Sequence, residues 1–352
     1  MLAAESLPAS VIQAPHRLPA LSDKEWDLLI RQGRRANLLA RIAYLVHVGN
    51  YAAEIPSAPH GHLRAEEILA AKQVQAVHYE LKKLAEALDS AGLKAVLLKG
   101  AAYLAADLPC ARGRLFGDID LMVPKPQITL AESTLMLHGW AAGHHDAYDQ
   151  RYYRRWMHEI PPLQHVTRLS IIDLHHAILP ESARAASPAA PLFEDAIALP
   201  DTPFLVLSPV DMTLHSAAHL FHEGEFHNGL RDLCDLDSLL RYFSANEPAF
   251  WQRLTERAAA LNLTIPLRHA LRYTQQVFDT PVPAAFAPKR SGLMDALFAR
   301  ALAPDHASSS DSWTPLSRGL LFLRGHWLRM PTWLLLRHLF HKAFITPKDK
   351  GL

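Results

Sequence analysis

Two aspartates one residue apart, Asp118 and Asp120, stand in the run Gly117-Asp118-Ile119-Asp120-Leu121-Met122-Val123. In an extended strand side chains alternate between faces, so both carboxylates share one face while Ile119 and Leu121 enter the core. Like charges placed this way repel. A divalent cation removes the conflict, because hard Mg²⁺ takes carboxylate oxygens and commonly phosphate oxygens with them. Upstream, the apolar run Ala95 to Leu98 ends in Lys99-Gly100, and a loop carrying Arg112 and Arg114 follows a small-residue helical segment. Glycine lets the backbone turn tightly and its amides approach an anion at a helix N-terminus. Lys99 and Arg114 bring positive charge, Arg114 through a planar fork suited to phosphate. The plain alternative is a solvated turn at a strand end, with Lys99 closing a strand and Arg114 pairing with Asp118.

Further signals lie downstream. The run Thr167 to His175 reads as a strand with Asp173 and His175 on one face, opposite Ile172 and Leu174. His215 and His219 are spaced i, i+4 and share a helix face suited to zinc, with His222 and His227 near. No cysteine accompanies them, and His222-Glu223 to His227 is one residue too long for the zinc-peptidase pattern, so satisfied or solvent-facing histidines are the favoured reading. Arg231, Asp232 and Asp235 fall on neighbouring turns of a helix, which reads first as a surface pair, with one acid lying over the cleft as the alternative. Residues 318–340 are apolar, aromatic and basic together. Arg324, Arg329 and Arg337 interrupt them too often for a spanning helix. A closing helix that buries its apolar side is the favoured reading, with peripheral membrane contact or a dimer partner as alternatives.

The elements that would position these groups follow from periodicity. Residues 1–20 read as a loose lead-in. Ser22 begins a helix with Glu25 in its first turn, and a long helical pattern from about Leu63 stops at Ala91-Gly92. Pro124 and Pro126 open a helix reaching about His138. Strands are expected over 141–148 and 151–158 and again up to His175, followed by a Pro- and Ala-rich connection and helices from Ser208 onward. This gives an α+β protein with an N-terminal helical region (1–90), a core (91–200) and a C-terminal helical region (201–352). A chain of 352 residues with 49% hydrophobic and 20% charged content is globular. Lys plus Arg number 36 against 35 Asp plus Glu, a balance that gives no overall field for bulk nucleic acid. The two cysteines, Cys110 and Cys234, form no metal pattern and suit a reducing cytoplasm, and no signal peptide opens the chain.

With these residues in view, the chain resembles the nucleotidyltransferases of DNA polymerase beta type. More closely it resembles a bacterial branch of uncharacterised nucleotidyltransferases. The resemblance is carried by Leu98-Lys99-Gly100, Arg114 and Asp118-Ile119-Asp120-Leu121-Met122-Val123. It continues through His158-Glu159-Ile160-Pro161-Pro162-Leu163 and Asp173-Leu174-His175-His176, where His176 replaces the branch's Trp. It extends into the His-rich helix and fades after about Tyr242. It implies a polymerase-beta-like core of short mixed sheet and helices, with Asp173 as the third carboxylate beside Asp118 and Asp120. These three would hold two Mg²⁺ (or Mn²⁺) ions for an in-line phosphoryl transfer. Lys99, Gly100, Arg114, Gly117 and His175 would meet ATP or another NTP. The wider superfamily has Ser where this chain has Ala101, which removes one phosphate contact. The expected reaction moves an NMP, AMP first among them, to a hydroxyl on a small molecule or protein. A catalytically silent nucleotide- or partner-binding module, of the kind found in toxin–antitoxin pairs, and a His-ligated metal hydrolase are the alternatives. The acceptor and the oligomeric state are not written in the motifs.

Overall fold

The structure is a computed structural model and describes residues 3–143, 153, 154, 156–184, 186–222, 224–288 and 292–332. Its N-terminal part is helical from the outset. Helix α1 (Leu7–Gln13) is capped by Ser6 and buries Ala9 and Val11, so the expected loose lead-in is a packed element. Helix α2 (Asp23–Arg35) starts at Ser22, where the Glu25 carboxylate accepts the Ser22 amide at 2.9 Å. This is the reciprocal cap that the sequence spacing predicts. Helix α3 (Leu39–Val48) joins α2 in a core of Trp26, Leu29 and Ile42. Helix α4 (Ser57–Ser90) is longer than the apolar period suggested, and the chain leaves it through Gly92 at φ +63°.

The centre is one mixed sheet of seven strands: β1 (Ala95–Leu97), β2 (Ile119–Met122), β3 (Trp140–Ala142), β4 (Leu163–His165), β5 (Ile171–His175), β6 (Ile197–Ala198) and β7 (Phe204–Val206). Their order is β3-β4-β5-β2-β1-β7-β6. The β2–β5 and β1–β7 pairs are parallel, and the other neighbours are antiparallel. β1 and β2 are buried along their whole length, as central strands covered on both faces are. Helices α5 (Lys99–Ala105) and α6 (Ile128–Leu137) follow β1 and β2, and a short α7 (Ala190–Glu194) precedes β6. Then come α8 (Pro209–His222), α9 (Gly229–Asn246), α10 (Phe250–Ala260), α11 (Thr264–Phe278), α12 (Gly292–Ala301) and α13 (Thr314–Arg329). Helix α8 is the keel of this half. Leu214 and Ala218 pack into the sheet core, while Phe221 meets Tyr273 and Phe298 in a second cluster.

The structure departs from three expectations. Tyr153, Arg154 and Trp156 are helical where a strand was expected over 151–158, and Arg154 grips Glu132 at 2.7 and 2.9 Å. The strand expected over 141–148 is β3, ending at Ala142, and residues 144–148 lie outside the described residues. Strand β4 was not foreseen, since three residues are too few to show an alternation. Helix α13 meets its own expectation in part. Leu321 is buried, while Trp313, Leu316, Leu320, Leu323 and Trp327 form an outward stripe. Arg324 turns inward, donating to the Phe221 carbonyl at 2.8 Å. No helix among the described residues is long and apolar enough to cross a membrane, and residues 333–340 of the C-terminal segment lie outside them.

Candidate active site

Parallel pairing of β2 with β5 sets Asp120 beside Asp173 and Leu121 beside Leu174. Asp118 stands just ahead of β2, one pleat before Asp120. One carboxylate oxygen from each of Asp118, Asp120 and Asp173 falls within 4.8 Å of the others. The leucines hold the opposite face in the core, both fully buried. The three acids descend from an exposed Asp118 through Asp173 to Asp120, which is 2% exposed. They line a polar cavity of about 400 Å³.

Asp120 is the hub. Lys99 Nζ donates to its Oδ1 at 2.8 Å, and His175 Nε2 reaches the same oxygen at 3.1 Å. Among the described residues no donor is bound to Oδ2, which leaves that oxygen for a cation. Burial alone would raise the Asp120 carboxyl, but the Lys99 ammonium and the His175 ring outweigh it and hold the group well below the usual carboxylate range. Asp173 shows the reverse. Burial first, then the charges of Asp120, Glu159 and Asp118, push it up to about 8. Its Oδ1 is buried and accepts no hydrogen bond. Three crowded oxygens with an orphaned acceptor and no nitrogen or sulfur donor fit a hard divalent cation.

Lys99 reaches Asp120 from a left-handed backbone, φ +45°, at the junction of β1 and α5. A side chain held there costs about 1–3 kcal/mol, and such strain persists where surrounding structure enforces it. Gly100 comes next and borders the cavity. A Cβ there would lie 2.4 Å from Arg114 Nη1, so the glycine makes room for the guanidinium. Arg114 itself is 8% exposed and donates through Nε to Asp235 at 2.8 Å. It pairs with neither Asp118 nor open solvent, although it borders the cavity. Gly117 borders the cavity too, and a Cβ added there would meet open space. Ala101 is packed in the core.

The opposite wall comes from α8 and α9. Tyr103 and Ser216 hydrogen-bond at 2.6 Å, and Arg231 grips Asp232 at 2.7 Å. Asp232 and Asp235, expected as surface residues, therefore face the cavity. Burial works to raise Asp232, yet Arg231 and His219 bring it below its ordinary value. The histidine set divides. His215 is buried, and burial with the nearby Lys99 lowers it to about 3, while His219 and His227 border the cavity. Among the described residues these histidines do not gather three ligand atoms.

His175 does not border the cavity. At 3% exposure it stands behind Asp120, with Nδ1 3.3 Å from Glu159 Oε2. Burial disfavours its charged ring, but the hydrogen bond to Asp120 and the charge of Glu159 raise it above the usual histidine value. Glu159 was not singled out from sequence. Its placement depends on Pro161-Pro162: β4 pairs Leu163 with Ile172, yet Glu159 bridges His175, so the register slips by one residue across the prolines. Prolines supply no amide to the ladder, and a slip of this kind re-aims the side chains beyond it.

The segment from α2 through α11 that builds this arrangement also matches a family model. The match covers residues 22–279, and the family is described as uncharacterised nucleotidyltransferase. The chain belongs to this family. The match begins earlier and ends later than the motif resemblance did, taking in helices on both sides of the sheet. Comparison with curated proteins and with solved structures gave no match.

Proposed function

We propose that the protein is a divalent-metal-dependent nucleotidyltransferase that moves a nucleoside monophosphate from an NTP to a hydroxyl acceptor. The observation that carries this is the in-register pairing of Asp120 with Asp173, with Asp118 one pleat away, at the floor of a polar cavity. Asp118, Asp120 through Oδ2, and Asp173 are the residues that would hold the metal. Mg²⁺ bound there supplies charge neutralisation for the phosphates and for the developing oxyanion. The acceptor oxygen forms a bond to the α-phosphorus, the bond from that phosphorus to the bridging oxygen of pyrophosphate breaks, and the acceptor proton passes to the Asp173 carboxylate.

The chain's own groups do the positioning. Lys99 fixes Asp120 through Oδ1 and stands next to the phosphate path. Arg114 acts through Asp235, anchoring α9 against the turn at Gly100, and His175 holds Asp120 from behind. Gly117 leaves the floor open beside Asp118. ATP is the first nucleotide to test, and the near-neutral charge favours a small molecule or a protein side chain as acceptor over bulk nucleic acid.

The experiment is incubation of the purified protein with each α-labelled NTP, Mg²⁺ or Mn²⁺, and a cell extract. Label transferred by wild type and lost in Asp118→Asn supports the reading, and the labelled species gives the acceptor class. One observation favours a second reading, a catalytically silent nucleotide- or partner-binding module: Asp120 Oδ1 is already bound by Lys99 and His175. That reading predicts nucleotide binding without any transfer of label.

A further inference from the structure

We infer that His158, Glu159 and His175 form a second metal site, for a first-row transition ion such as Zn²⁺, with its own ligands, although His158 and Glu159 border the same cavity as the three aspartates. One ligand atom from each of the three side chains lies within 4.8 Å of the others. Ligand atoms around a tetrahedral zinc with bonds near 2.0–2.1 Å are about 3.4 Å apart. The Glu159 to His175 distance of 3.3 Å already matches that edge. The donor set is nitrogen-rich, unlike the all-oxygen set of the aspartates, and imidazole with carboxylate suits zinc and its neighbours rather than Mg²⁺.

The backbone is built for this convergence. Glu159 and His175 form an antiparallel bridge flanked by the bonds Ile160 N to Leu174 O at 3.0 Å and His176 N to His158 O at 2.8 Å. Opposed residues between such bonds are the closer kind of pair, so their side chains meet. The His158 and His175 rings are 5.3 Å apart and tilted by 36°, and both residues are at least 95% buried. His175 Nδ1 is buried with no hydrogen bond, although a carboxylate oxygen stands beside it. His175 Nδ1 and the Glu159 carboxylate thus face each other at the distance two ligands of one cation would keep.

A carboxylate on the far nitrogen of a metal-binding histidine is a recurrent arrangement that fixes the ring and strengthens its lone pair. Asp120 occupies that place here. It would thus serve both centres, through Oδ1 by way of His175 and through Oδ2 directly. The inference does not depend on nucleotidyl transfer.

The test is spectroscopic. Chelator-stripped protein in saturating Mg²⁺ is titrated with Co²⁺, whose visible bands report nitrogen ligation and low coordination number. One equivalent of Co²⁺ with such bands is expected, unchanged in the Asp118→Asn/Asp173→Asn variant. Glu159→Gln, at a partly exposed side chain, should weaken Co²⁺ binding by at least about 10-fold, and His158→Gln should abolish the bands, with near-ultraviolet circular dichroism checking the fold. Absence of bands in wild type overturns the inference, since a proton on His175 then does the cation's work. So does a Co²⁺ affinity that Glu159→Gln leaves intact. Failure of label transfer in the preceding assay leaves this result untouched.

Discussion

Asp173→Asn should make the metal-free protein more stable and the protein with Mg²⁺ indifferent to the ion. Asp173 has one carboxylate oxygen buried without a donor, and burial with the charges of Asp120, Glu159 and Asp118 pushes it up to about 8. In the unfolded chain an aspartate titrates near 3.9. Between these values the folded state binds more protons than the unfolded state, so stability falls as pH rises through this window. At about 1.4 kcal/mol per pH unit the whole window is worth roughly 5–6 kcal/mol at most. Relaxation of Asp118, which is exposed, and entry of water reduce this, and roughly 2–3 kcal/mol remains as the expected gain. The amide also brings a donor for its acidic neighbours, so part of the gain survives even where the charge effect is small. The assay is thermal and urea denaturation of both proteins with chelator, from pH 5 to pH 9, repeated with Mg²⁺. The variant's advantage should be greatest at pH 9 and shrink towards pH 5, and Mg²⁺ should raise the melting temperature of wild type alone. A variant no more stable than wild type at pH 9, or one that Mg²⁺ stabilises equally, would refute the reasoning.

Arg114→Met should cost about 3–5 kcal/mol, because it leaves Asp235 buried with Arg41, 3.7 Å away, as its one remaining cationic partner among the described residues. The double variant with Asp235→Asn should recover much of that in urea melts, whereas a stable Arg114→Met that has lost nucleotide affinity would return Arg114 to the phosphate. Gly100→Ala should destabilise by about 1–3 kcal/mol, since its Cβ meets Arg114 Nη1 at 2.4 Å. Gly117→Ala meets open space and should stay within about 0.5 kcal/mol of wild type, so any fall in label transfer reports the cavity floor. Lys99→Met should abolish transfer and enlarge the rise in melting temperature that Mg²⁺ produces, because the ion then fills a role the ammonium held. An unchanged Mg²⁺ response would show that Lys99 and the ion do not share Asp120.

The acids were legible because a period of two needs only local sequence: Asp118 and Asp120 share a face whatever surrounds them, as do Asp173 and His175. Their convergence was not. It depends on β2 and β5 lying side by side in parallel, a long-range choice that the motif resemblance supplied and the pairing of Asp120 with Asp173 bears out. The pairing of Arg114 with Asp235 was hidden for a similar reason. An arginine in a loop near acids looks free until α9, more than a hundred residues on, delivers Asp235 to it. The close approach of the Arg114 side chain to Gly100 was hidden with it. Glu159 stayed hidden since its aim depends on the slip at Pro161-Pro162. The long helices and the Ser22 cap were readable from their own residues, while β4 and the turn at Tyr153 were too short to carry a period.

The charge arrangement around Asp120 gives the site a direction. Lys99 and His175 both fasten to Oδ1, and Glu159 stands 3.3 Å from His175 Nδ1. One carboxylate oxygen each of Asp118 and Asp173 lies within 4.8 Å of an Asp120 oxygen, and Asp173 Oδ1 accepts no hydrogen bond. Asp120 is thus fastened by two protein groups, while Asp173 Oδ1 is held by none among the described residues. A surface that merely tolerated acids would spread them into solvent, whereas here Asp120 is buried, a left-handed Lys99 is held to it, and Asp173 is kept where burial opposes its charge. Each of these costs stability, and they act at one point. A site built only for packing would lose nothing by replacing Asp173 with leucine. The retention of all three costs beside one open oxygen is the physical argument that a cation and its anionic ligand complete the site.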